Sequence, residues 1–167
     1  LIPVSGIDSI PPEIGELINL KYLNLSSCFI STFPSEISNL QLLEKLNLSF
    51  NRSLANIEYL SIGTDSASSI FNTIFELTSL KHLNLKNCHL EGIIPLGISN
   101  LENIKTLDLN ANLLSGELPN DLWGLDDLEI LNVGSGDMVP GVLSLVKNNF
   151  YGDVLDSIST LVNLNSL

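Results

Sequence analysis

Three groups of residues in this 167-residue chain could carry chemistry. His82 and Asp108 could serve as a base and its orienting carboxylate, the minimum for activating a hydroxyl or thiol. Cys28 and Cys88 could supply a thiolate or a disulfide. Asn24-Leu-Ser26, Asn47-Leu-Ser49 and Asn51-Arg-Ser53 are acceptor sequons for N-linked glycans. Catalysis also needs a nucleophile on a strained turn beside the base, and no Ser or Cys stands in such a setting near His82. Gly-rich phosphate loops, paired Cys-x-x-Cys motifs and His-Glu-x-x-His are absent from the sequence. His89 follows a core Cys and reads as a turn residue, and Trp123 reads as packing. The chain is therefore expected to be non-catalytic, with no metal and no cofactor.

The elements that must position these residues repeat. Leu20-Lys-Tyr-Leu-Asn-Leu-Ser-Ser-Cys28 returns as Leu80-Lys-His-Leu-Asn-Leu-Lys-Asn-Cys88 and as Ile104-Lys-Thr-Leu-Asp-Leu-Asn-Ala-Asn112. Onsets fall at Leu20, Leu43, Ile57, Leu80, Ile104, Leu128, Pro140 and Leu164. In this parse two turns are truncated, at 43–56 and 128–139. An alternative merges each short turn with its neighbour into one long repeat. The short parse keeps a good strand motif, Ile57-Glu-Tyr-Leu-Ser-Ile62, and is preferred. A period of this size identifies a leucine-rich-repeat solenoid. The expected fold is an α/β right-handed superhelix of about seven to eight turns. A concave parallel β-sheet lines one side, with short helical or irregular segments on the convex side. One domain spans 1–167, with both ends cut within repeats and uncapped.

In Leu-x-x-Leu-x-Leu the strand period of two turns the last two leucines inward and the residues around them outward. The Asn or Cys three residues further on turns the chain. Its side chain can bond backbone groups that the turn leaves unpaired. Asn51, Asn112, Asn148, Cys28 and Cys88 fill that slot; Gly136 fills it in one short turn, where the ladder should break. The two cysteines lie about three turns apart. At about 4.8 Å per strand they are too far apart to bridge, and they read as free core thiols.

Function would sit on the outward strand positions. The expected binding face comprises Tyr22, Lys45, Tyr59, Ser61, His82, Asn84, Lys86, Thr106, Asp108, Asn110 and Asn132. Tyr supplies contact area there and Asn adaptable hydrogen bonds. Of the seven basic residues, six fall in strand segments, against four of the nineteen acids. The net charge is −12, and most of the acid lies away from the strands. That excess argues against nucleic acid and anionic membranes, while the strand face suits a neutral or acidic partner. No apolar run is long enough to span a bilayer, so this segment should not insert in one. Asn24 and Asn47 lie between inward leucines and are the expected glycosylation sites. Asn51, a ladder residue, should be buried.

Leu90-Glu-Gly92-Ile-Ile94-Pro95 and Leu114-Ser-Gly116-Glu-Leu118-Pro119 resemble the plant-type leucine-rich repeats of receptor-like kinases, receptor-like proteins and polygalacturonase inhibitors. The resemblance implies an extracellular or cell-surface recognition module for a protein, peptide or glycan ligand. Two further expectations stand beside it. One is a structural segment that associates end to end in a filament. The other is a cytoplasmic scaffold, which free cysteines would suit.

Overall fold

The computed structural model describes residues 8–54, 68–134 and 148–150. Its strands are β1 Tyr22–Asn24, β2 Lys45–Asn47, β3 His82–Asn84, β4 Glu91–Gly92, β5 Thr106–Asp108, β6 Leu113–Gly116, β7 Ile130–Asn132 and β8 Asn149–Phe150. A single α-helix, α1, covers Ser68–Phe75. The main sheet has the order β1-β2-β3-β5-β7, and every pairing is parallel. Its central leucines stack in register, Leu23 on Leu46, Leu83, Leu107 and Leu131. Alternation sends Leu46, Leu48, Leu83, Leu85, Leu107 and Leu109 into the core, where none is more than 1% exposed.

β2 pairs directly with β3, Lys45 opposite His82. Leu48 and Phe50 donate their amides to Asn84 and Lys86 across the same junction. No strand stands between them. The truncated turn expected at 43–56 is therefore corrected: the coil opening at Leu43 closes only at Leu80, and the merged parse holds. Tyr59 and Ser61, expected in the strand columns, lie outside the described residues. Cys28 and Cys88 are two coils apart, with the Asn51 coil between them.

The β2, β5 and β7 coils are each closed by one buried Asn amide, while buried Cys28 and Cys88 hold the same slot after β1 and β3. Asn112 Oδ1 accepts the amides of Cys88 (2.9 Å) and Leu90 (3.1 Å). Its Nδ2 donates to the carbonyls of Leu85 (2.9 Å) and Leu109 (2.8 Å), the equivalent leucines of the previous coil and its own. Asn51 repeats the arrangement with Ile30, Leu25 and Leu48. Asn148 repeats it with a difference of sequence: it binds Leu114, Leu109 and Val133. Val133 ends the leucine pattern of β7, so Asn148 closes the β7 coil from a position twelve residues beyond Gly136. The short turn expected at 128–139 is corrected in turn. The ladder is not broken there, because its amide is supplied by Asn148.

The residue before the closing position has a left-handed backbone in four coils: Ser27 (φ 57°), Phe50 (61°), Asn87 (55°) and Ala111 (57°). No glycine occupies the slot, so each coil stores a little strain that the closing bonds must offset.

The back half of four coils runs through Pro into a single 3₁₀ turn: Pro12–Glu16, Ser35–Asn39, Leu96–Asn100 and Asn120–Gly124. Pro11, Pro34, Pro95 and Pro119 sit extended just before them (φ −64° to −73°). Proline suits that position because it has no amide to leave unpaired. In the long coil α1 takes the place of the 3₁₀ turn and packs between those of its neighbours. Phe71 and Phe75 fill the added volume, their ring centroids 5.5 Å apart. A second sheet, β4-β6-β8, lines the lateral side and was not anticipated. It depends on Gly116 at φ +85°, where a Cβ would fall 2.7 Å from Ile93 Cγ2.

Candidate functional site

The register brings Tyr22, Lys45, His82, Thr106 and Ile130 into one outward column. Neighbouring strands lie about 4.8 Å apart, so the column is roughly 19 Å long. Lys45 Nζ sits 5.4 Å from the Tyr22 ring centroid, a cation–π contact. His82 Nδ1 lies 3.2 Å from Thr106 Oγ1. Tyr22 and Lys45 are exposed; His82 and Thr106 are half-buried.

The second column is Asn24, Asn47, Asn84, Asp108 and Asn132. Four of these side chains have a structural duty the sequence reading missed. Asn24 Oδ1 accepts the Ser26 amide (3.1 Å), and Asn47 Oδ1 the Ser49 amide (3.0 Å). Asn84 Oδ1 accepts the Lys86 amide (3.0 Å), and Asp108 Oδ1 the Asn110 amide (3.0 Å). These are Asx turns. Asn or Asp supplies the acceptor for an amide that has no backbone partner, while the amide on the next residue still bonds the neighbouring strand. The polar column is thus half framework and half surface.

Burial rises along the face. Asn24 is exposed, Asn47 and Asn84 are half-buried, and Asp108, Asn110 and Asn132 are buried. The last three, expected to meet a ligand, are corrected on that ground. The open set is Tyr22, Lys45, His82, Asn84, Lys86 and Thr106. His82 and Asp108 stand on adjacent strands, with Asn84 opposite Asp108. Burial lowers the His82 pKa, and the positive charge of Lys45 adds to the effect. Burial raises the Asp108 carboxyl, and Lys86 partly offsets it. Burial also pushes the Cys88 thiol up to about 12, so it is held protonated in the core. Its Sγ donates to Leu48 O (3.1 Å), one of the bonds that an Asn would make. Cys28 is likewise buried, and both thiols are free.

The lysines of the strand segments divide into two sets. Lys21 and Lys81 both reach Glu44 (3.4 and 3.1 Å), and Lys105 reaches Glu129 (2.7 Å). These pairs cross between coils along the edge where the strands begin. They hold Glu44 below the usual carboxylate range, chiefly through Lys81, and raise the Lys105 ammonium through Glu129. At such exposed positions the pairs contribute little stability. Lys45 and Lys86 lie on the face itself. Among the described residues no cluster of His, Cys, Asp and Glu could hold a metal, and no helix is long and apolar enough to cross a membrane. Of the sequon residues, Asn24 is open and Asn47 partly so. Asn51 is fully buried with its Nδ2 bonded twice.

Asp108 gives a pH test. Its folded pKa is raised, so protonation favours the folded state, and its contribution to stability falls as pH rises above the unfolded carboxyl value. Asp108→Asn keeps the bond to the Asn110 amide and removes the buried charge. It is expected to raise Tm at pH 7 and to flatten the stability profile between about pH 4 and 7. An unchanged or lower Tm at pH 7 would show that the carboxylate is well solvated.

The Leucine Rich Repeat family matches residues 19–40, 79–101 and 103–125. Receptor-like protein 39 of Arabidopsis thaliana is 32% identical over 154 residues, covering 84% of this chain. Receptor-like protein EIX1 of Solanum lycopersicum is 33% identical over 123 residues, covering 64%. The chain spans 17% and 12% of the lengths of these relatives. The ectodomain of the Arabidopsis thaliana receptor kinase GASSHO1/SCHENGEN3, in complex with CASPARIAN STRIP INTEGRITY FACTOR 2, superposes with a TM-score of 0.69 at 28% identity. That match covers 98% of this chain and 16% of that one. The Arabidopsis receptor kinase HAESA, in complex with the peptide hormone IDA and the co-receptor SERK1, gives 0.69 at 28% identity over 95% of this chain and 22% of that one. Repeat, register and relatives agree: the chain carries leucine-rich repeats folded as a leucine-rich-repeat solenoid, and it is similar in sequence to plant receptor-like proteins and in structure to plant receptor ectodomains.

Proposed function

We propose that this chain is a non-catalytic recognition segment of an extracellular receptor-like protein, and that it takes a peptide across the outward strand column. The observation that carries this is the in-register stacking of Tyr22, Lys45, His82 and Thr106 on four rigid parallel strands. A pre-formed face of this kind costs little to order on binding. The structural neighbours that hold peptide hormones support the reading. The similarity to receptor-like proteins and receptor ectodomains supports binding without turnover.

The test is selection of displayed random 12-residue peptides on the immobilised chain, followed by affinity measurement on Tyr22→Ala and Thr106→Ala. Enriched peptides should weaken by about tenfold or more on at least one of these variants, as truncation of a contact residue does. Enrichment of peptides indifferent to the column, or no enrichment, would contradict the reading.

The extracellular assignment makes a separate prediction. On material from the native source, enzymatic removal of N-glycans should lower the mass of the peptide carrying Asn24 or Asn47, and leave the Asn51 peptide unchanged. Both of the first two sites found unmodified would favour the cytoplasmic scaffold, which the two free thiols suit.

A further inference from the structure

The Asx turns have a consequence for what the face can bind. An Asn side chain has one acceptor and one donor end. In Asn24, Asn47 and Asn84 the acceptor Oδ1 is committed to the amide two residues on. The end left to the outside is Nδ2, which makes no hydrogen bond to the described residues of the chain. Three adjacent strands therefore present an Asn Nδ2 donor each, stacked at about the strand spacing, beside an oxygen already engaged by the turn. The column beside them adds Lys45 and His82, and Lys86 follows Asn84 two residues on. The first acid of the column, Asp108, is buried and faces Asn84 from the next strand, so the donor row ends at β3.

Asn24 and Asn47 lie in sequons, where Nδ2 is the atom a glycan would take. Asn84-Leu85-Lys86 is not a sequon, so the Asn84 donor stays available whatever happens at the other two. Lys45, His82 and Asn84 thus form a donor-rich seat at the centre of the sheet, with the Lys45 charge beside the Asn84 Nδ2. The rest of the molecule carries the acid excess. Like charge elsewhere and unlike charge here would guide an anionic segment to this place.

Resting on the recognition reading above, we infer that the ligand is an acidic peptide, with an Asp or Glu carboxylate seated on Asn84 Nδ2 between Lys45 and His82. The decisive variant is Asn84→Asp. It keeps an oxygen for the Lys86 amide, so the Asx turn survives, and it replaces the outward donor with an acceptor that repels a carboxylate. The peptides selected from the displayed 12-residue library should be rich in Asp and Glu. They should bind Asn84→Asp at least about tenfold more weakly, with Tm close to that of the parent. Lys45→Ala should weaken them too, and selection repeated on Asn84→Asp should lose the acidic bias. Enriched peptides without acidic residues, or an Asn84→Asp variant that binds them equally well, would overturn the acidic seat and leave peptide recognition standing. Failure to enrich any peptide would overturn both.

Discussion

A coil of this solenoid turns the chain sharply while its backbone is buried, and the turn strands two amides and two carbonyls with no strand partner. Everything else depends on satisfying those four groups. Asn112 meets all four with one side chain, and Asn51 meets one amide and both carbonyls, since a primary amide offers both a double acceptor and two donors in one plane. A buried polar group left unpaired costs about 1–3 kcal/mol, so losing the closing amide would cost several such penalties at once. The coils also tolerate left-handed residues as unfavourable as Phe50 because this network holds the turn. Cys88 shows the lower limit of the slot. Its thiol supplies a donor to Leu48 O, in a core dense enough to keep the thiol protonated.

The same economy shapes the binding face. The amide two residues beyond the second column would also be left without a partner, and an Asn or Asp accepts from it. Folding therefore uses the oxygen of each Asn and leaves its nitrogen to solvent. The polarity of the concave surface follows from how the chain closes its turns. It is not an independent feature added to a neutral scaffold. Where the side chain is Asp108 the surface changes sign, and burial covers that residue instead of exposing it. The paired lysines at the strand-start edge tie neighbouring coils, whereas Lys45 and Lys86 remain on the face.

The repeat, the inward leucines, the Asn slot and the Pro-led convex turns were all legible in the sequence, because each is set by spacing that local geometry converts directly into direction. The errors came where spacing alone was ambiguous. Ile57-Glu-Tyr-Leu-Ser-Ile62 has the strand pattern, yet β2 pairs directly with β3, so the pattern alone did not give the order of the sheet. Gly136 stands at the expected distance from Val133, yet Asn148 makes the bonds, since glycine has no side-chain donor or acceptor to offer. Distance along the chain was the wrong guide there; donor and acceptor capacity was the right one. The half-structural role of Asn24, Asn47 and Asn84 was readable in principle from Asn recurring at one position of Leu-Asn-Leu. The left-handed residues carry no common side chain and gave no signal.

The central claim is that a buried side chain in the closing slot satisfies the turn of each coil, an Asn amide in three of them, even when that amide arrives twelve residues further along. Native-state hydrogen exchange on Asn148→Ala tests it most directly. The account predicts that the Leu114 amide, which donates to Asn148 Oδ1 at 3.0 Å, loses its protection, while the Cys88 and Leu90 amides held by Asn112 keep theirs. Unchanged protection at Leu114 would contradict it, because another group would then be closing the β7 coil.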